Sequence, residues 1–202
     1  MSLLSYFRKR RNEMQETAAQ LNMNFHIKDE YGLINMMKDF KLFKRGYGKK
    51  IRNILSNQRD VEQPDIRVFD YHYVVGGGNS TRRISQTVFY IHSKSLALPQ
   101  FSIKPERFYH QVGEWMGMQD IDFEAFPDFS KQYVLQGPEE ELIRKAMPED
   151  FLQFFSVEKN WSVEGLNYLL IFYRSGERIH PKDIELFYSK GMQIFDMLKM
   201  KE

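Results

Sequence analysis

The chain has 202 residues, 42% hydrophobic, 28% charged and 15% aromatic, a composition that belongs to a folded globular protein rather than a disordered one. Cysteine is absent, which excludes a disulfide framework, a thiolate metal site, an iron–sulfur cluster and a cysteine nucleophile, and fits a reducing cytoplasm. The net charge of +2 hides a gradient: residues 1–60 hold 13 Lys/Arg against 6 Asp/Glu, whereas residues 119–202 hold 10 against 16, so either a basic surface faces an anionic partner or the two ends cancel in the fold. Cancellation is the favoured expectation.

In chain order, Leu4, Phe7, Met14, Ala18 and Leu21 recur at alternating spacings of three and four, so residues 2–21 read as a helix whose apolar stripe is interrupted by Arg11. Its start, Leu3, Leu4, Tyr6 and Phe7, precedes the basic run Arg8, Lys9, Arg10 and Arg11. That order is the reverse of an export signal, and it suits docking on the domain more than attachment to an anionic membrane surface. A short strand at 24–27, a weaker helix at 32–40 and a strand at 49–55 follow. The phrase GYGKK at 46–50 has the letters of a phosphate loop without its length, and a basic turn is the favoured reading.

Residues 66–75 and 82–92 are rich in Val, Ile, Thr, Tyr and Phe and flank Gly76, Gly77 and Gly78, a pattern that predicts an antiparallel hairpin pairing Val75 with Arg82 and His72 with Ser85. A phosphate-binding loop would need a helix after the glycines, and another strand comes instead. The triplet is therefore expected to supply a wide turn, with Arg82 and Arg83 at its tip as a candidate partner contact. Beyond it, Pro105 is expected to open a helix running to about Trp115, residues 131–136 to form a strand, Pro138 and Pro148 to open two short helices, and Gly165 to turn a second hairpin between 161–164 and 167–174. A final helix starts at Pro181. The longest apolar run, YLLIFY at 168–173, is strand-sized rather than membrane-spanning.

Asp120, Asp122 and Glu124 alternate with Ile121 and Phe123, so an extended segment would place three carboxylates on one face, where they could hold Mg²⁺ or Ca²⁺ for a metal-assisted hydrolase, with His110 as a further candidate. A solvated acidic edge is the favoured reading. The five histidines form no ligand pair, no G-x-S-x-G elbow occurs, and no nucleic-acid-binding motif accompanies the basic N-terminal part.

The order of short phrases, NMNF, LFKRGYGKKIRNIL, VFDYHY, QTVFYI, LPQFSIKPE, DIDFEAFPDFSKQYVLQGPEE and EGLNYLLIFYR, resembles an uncharacterised bacterial family, a domain of unknown function found in soluble and membrane-tethered small proteins. The resemblance spans nearly the whole chain and implies one bacterial α+β domain without assigned catalytic residues. The expectation is therefore a single α+β domain over 1–202, a mainly antiparallel sheet of hairpins packed by N- and C-terminal helices. It is expected to act in the cytoplasm, or at the periphery of the inner membrane, as a non-enzymatic protein-binding or structural module without a cofactor. Two alternatives remain: the metal-assisted hydrolase at Asp120, Asp122 and Glu124, and a membrane or nucleic-acid surface at the N-terminal helix, nucleic acid being disfavoured.

Overall fold

A computed structural model describes residues 3–30, 32–57, 63–78, 80–107 and 120–200. Eight strands form one sheet, β1 (Asn24–Lys28), β2 (Tyr47–Ser56), β3 (Asp65–Gly77), β4 (Ser80–His92), β5 (Leu98–Pro105), β6 (Tyr133–Gln136), β7 (Ser162–Asn167) and β8 (Leu169–Tyr173), in the order β1-β2-β3-β4-β8-β7-β5-β6. Every pairing is antiparallel. The helices are α1 (Leu3–Gln20), α2 (Leu33–Met36), α3 (Lys41–Lys44), α4 (Pro127–Gln132), α5 (Glu140–Ala146), α6 (Glu149–Val157) and α7 (Ile184–Leu198), the last entered through a 3-10 turn at Pro181–Asp183. The α+β class expected from contiguous strands with helices at both ends is what the fold shows.

Both faces of the sheet are covered, and the strand sequences say why. A strand buried on one face alternates apolar and polar residues, whereas one buried on both reads as a nearly continuous apolar run. In β3 and β4 the run is nearly continuous: Val68, Phe89 and Ile91 pack under α1 and α7, while Phe69, Tyr71, Tyr73, Val88 and Tyr90 face a second core closed by Leu33, Met37, Phe40, Leu42 and Phe43. On that second face buried Glu164 accepts hydrogen bonds from the Tyr173 hydroxyl at 2.7 Å and the Leu42 backbone N–H at 3.2 Å, tying α3 to the sheet. Burial and the Glu164 carboxylate together push the Tyr173 hydroxyl well above its usual range.

The β3–β4 register is the expected one: Val75 lies opposite Arg82, His72 opposite Ser85 and Asp65 opposite His92. The turn is tighter than a six-residue loop, because the ladder continues through Gly76–Thr81 and Gly77–Ser80. A Cβ on Gly76 would stand 2.1 Å from the Ser80 carbonyl oxygen, which explains a glycine there without invoking phosphate.

Four boundaries differ from expectation. GYGKK is no turn between strands: β2 already begins at Tyr47. Pro105 itself closes β5 opposite Tyr133, a 3-10 turn begins only at Glu106, and the rest of the helix expected to run on to Trp115 lies, beyond Arg107, outside the described residues. Lys131 and Gln132 belong to α4, leaving a strand of only four residues. Gly165 is not a turn: it is buried within β7 opposite Phe101 and Leu170, and the chain reverses at Asn167, whose φ is 53°.

Candidate ligand-binding cavity

A polar hub joins the elements around the site. Along β3, Asp70 and His72 interrupt the apolar run on the face that α1 crosses. Asp70 is fully buried, and its carboxylate accepts from Arg10 Nε and Nη2, both at 2.7 Å, from Asn53 Nδ2 at 2.9 Å and from the Thr87 hydroxyl at 3.1 Å. Four donors, two of them from a guanidinium, satisfy the acceptor sites of this buried carboxylate. Arg10 also donates to the Ile179 carbonyl oxygen at 2.9 Å, and Thr87 Oγ1 accepts from the Ile179 N–H at 3.0 Å. The Gly176 N–H donates to Gln86 Oε1 at 3.0 Å. The Asp70 carboxylate thus pins α1, β2, β3 and β4 to one another, and its donors Arg10 and Thr87 hold the 174–180 loop.

β2 adds a local deformation. Its pairing with β3 shifts register between Tyr47 and Lys50 and again between Arg52 and Leu55. Gly48, at φ 62°, and Asn53, at φ 50°, adopt the left-handed backbone that such bulges use. The bulge at Asn53 turns its amide onto Asp70.

Beside the hub lies a cavity of about 440 Å³. Its cations come from separate elements: Arg11 from α1, Lys50 and Arg52 from β2, Arg83 from β4 and Arg178 from the 174–180 loop. No carboxylate lines it among the described residues. Apolar surface is supplied by Phe7, Ile27 and Val74, and Phe7 and Ile27 remain 43% and 44% exposed. His72 completes the wall, its Nδ1 2.7 Å from Ser85 Oγ. Burial pushes this imidazole down to about 4; Arg178, Arg10 and Arg83 act in the same direction and Asp70 against it. At neutral pH the ring is uncharged.

The residues singled out in sequence fall apart in space. Arg8 and Lys9 are exposed, Arg10 is buried in the hub and Arg11 enters the cavity. Of the hairpin pair, Arg83 lines the cavity and Arg82 is exposed on the neighbouring position of β4. Asp120, Asp122 and Glu124 are each exposed, in a segment that is not a strand and turns at Glu124. Asp120 Oδ1 accepts from the Leu135 N–H at 2.8 Å, and no group of three or more His, Asp or Glu side chains is arranged to hold a metal ion among the described residues. His110 lies outside the described residues. Sequence reasoning missed Phe7, Ile27, Lys50, Arg52, His72 and Arg178 as members of one site. A signal for part of it was present: with the correct register, the polar residues Asp70 and His72 of β3 meet Thr87 and Ser85 of β4 on one otherwise apolar face.

No protein-family model matches the chain, and no curated protein matches it in sequence. In fold it is similar to a solved structure, the mycobacterial trehalose monomycolate transport factor A, with a TM-score of 0.66 at 9% identity over 96% of this chain and 99% of that one. At such identity the likeness is one of fold. No described helix is long and apolar enough to cross a membrane.

Proposed function

We propose that the protein is a non-catalytic binding module and that the cavity between α1 and the β2–β3–β4 ladder is where it grips an anionic group. The observation that carries this reading is the convergence of Arg11, Lys50, Arg52, Arg83 and Arg178 on one cavity whose described lining contains no carboxylate. An anion among them gains charge-assisted hydrogen bonds worth roughly 1.5–3 kcal/mol each. An acidic segment of a partner protein and a small anionic ligand make the same demand on these cations. A fold shared with a transport factor is compatible with a binding role and assigns no residue to it.

The neighbouring proton-transfer groups favour binding over chemistry. Asp70 is committed to Arg10, Asn53 and Thr87. The His72–Ser85 contact has the form of a base and its nucleophile, but an imidazole held near 4 is a poor base at neutral pH, where general bases work best with values near the operating pH.

Pyrophosphate is a direct probe. It should raise the melting temperature by mass action, since a ligand bound only to the folded state stabilises it, and shift the backbone resonances of Lys50, Arg52, His72 and Arg83. The double variant R52S/R83S should lose both responses. A rise in melting temperature no larger than that given by sodium chloride at equal ionic strength, unchanged in R52S/R83S, would refute the reading.

A further inference from the structure

Resting on that reading, we infer that the natural anion is the head of an amphiphile, a phosphate- or carboxylate-type group joined to an alkyl chain, with the chain lying over Phe7, Ile27 and Val74 while the head meets the cations. Three observations carry it. A bare inorganic anion needs only the charged part of the wall, yet the cavity, at about 440 Å³, falls within the roughly 300–1,000 Å³ of sites that enclose molecules of drug size. Beside Gly48, Asn53, His72 and Tyr73, its other lining is apolar, Phe7 from α1, Ile27 from β1 and Val74 from β3, with Phe7 and Ile27 each more than two-fifths exposed. Those two elements are held in place from beneath: α1 by the Arg10–Asp70 pair, and β1 by its ladder with β2, in which Asn24 lies opposite Ser56 and Lys28 opposite Arg52. The apolar rim is therefore preorganised beside the charges, the arrangement in which a ligand with one charged and one greasy end loses least on binding.

The same chemistry can come from a free amphiphile or from the headgroup of a bilayer lipid, and the arms of one experiment separate them. Dissociation constants are measured by calorimetry for inorganic phosphate and for butyl, hexyl and octyl phosphate, each kept below its micelle concentration. Octyl glucoside serves as the uncharged control, a glutamate-rich peptide as the protein-like competitor and phosphatidylglycerol vesicles as the membrane source. Burial of each methylene against the rim should tighten binding about fourfold, the equivalent of the roughly 0.8 kcal/mol a buried methylene contributes, until the chain outgrows the cavity. F7S and I27S, at positions 43% and 44% exposed, should shrink the ratio of octyl to inorganic phosphate affinity, and R52S should weaken every phosphate.

Vesicle binding that parallels the alkyl series and weakens in F7S and I27S assigns the head to a bilayer lipid; soluble alkyl phosphates binding alone assign it to a free amphiphile. Equal affinities for inorganic and octyl phosphate overturn the amphiphile while leaving anion recognition standing. So does a glutamate-rich peptide binding more tightly than octyl phosphate, or vesicle binding indifferent to F7S and I27S. Failure of every anion to bind removes the proposed function itself.

Discussion

The carboxylate of Asp70 is the residue on which the site depends, because it sits at zero exposure and its charge is answered chiefly by Arg10. Removing one partner of a buried ion pair strands the other, at a cost of about 3–5 kcal/mol, whereas replacing both with apolar groups of similar size is often neutral. Arg10→Met is therefore expected to lower the unfolding free energy by about that amount, and the double variant R10M/D70L to recover much of it. Urea unfolding measures both, and a loss below about 1 kcal/mol in Arg10→Met contradicts the hub. Replacing the exposed Arg8 or Lys9 by Ser should stay within about 0.5 kcal/mol. His72 makes a second prediction. Its folded value near 4 lies below the ordinary 6.5, so between those values the unfolded chain binds more protons and stability rises with pH. The contribution is complete above about pH 6.5 and is lost as pH falls towards 4, with a ceiling of about 3 kcal/mol at roughly 1.4 kcal/mol per pH unit. The charges facing the ring are Asp70 from its own strand, Arg10 from α1, Arg83 from β4 and Arg178 from the loop. Wild type and His72→Gln compared across that window isolate the effect from other carboxylates, and parallel curves contradict it.

At the scale of elements, the clearest prediction is where α7 crosses the sheet. An alanine at Gly191 would gain roughly 1 kcal/mol of helix propensity, but its Cβ would stand 2.5–2.7 Å from three atoms of the Phe89 ring, which is itself completely buried. Overpacking of a fixed ring costs roughly 1–3 kcal/mol, so Gly191→Ala should be net destabilising, by up to about 2 kcal/mol in thermal or urea unfolding. A stabilised Gly191→Ala would mean that α7 lifts from β4 at little cost. The same crossing shows what the sequence could reveal. The β3–β4 hairpin was legible to the register because its period, its β-branched residues and its glycines all pointed one way. Gly165 was misread because glycine signals close backbone approach as well as turns: a Cβ there would meet the Phe101 ring at 2.2 Å, a contact with a strand more than sixty residues away in the chain. The basic run misled for a related reason. Arg11 fell on the apolar stripe by spacing, yet Arg10 is equally placed, three residues after Phe7 and four before Met14, and Arg10 is the one buried. Only the position of Asp70 decides between them. The cavity was illegible as a whole because its wall is assembled from α1, four strands and a loop, none of which carries a motif by itself.

Across the whole molecule, strand order settles what the charge gradient means. The basic N-terminal part supplies α1, β1 and β2 at one edge of the sheet, whereas the acidic helices α4, α5 and α6 attend β5 and β6 at the other, so that although the 174–183 segment packs against α1, these acidic helices are held apart from the basic part instead of cancelling it. From β3, at the centre of the cavity, to β6 is five strand spacings, about 24 Å. Over that distance unit charges in water interact by only about 0.2 kcal/mol, but three glutamates acting on a trivalent anion multiply this severalfold. Screening then decides whether the effect survives, with a Debye length of about 30 Å at 0.01 M salt and about 8 Å at 0.15 M. Neutralising Glu139, Glu140 and Glu141 to Gln should accordingly tighten pyrophosphate binding roughly threefold at 0.01 M salt and leave it unchanged at 0.15 M. R52S should weaken binding at both salts, because its contact with the anion is direct. A response to the glutamates that persists at 0.15 M would place the acidic edge within contact range of the bound anion, contrary to the strand order.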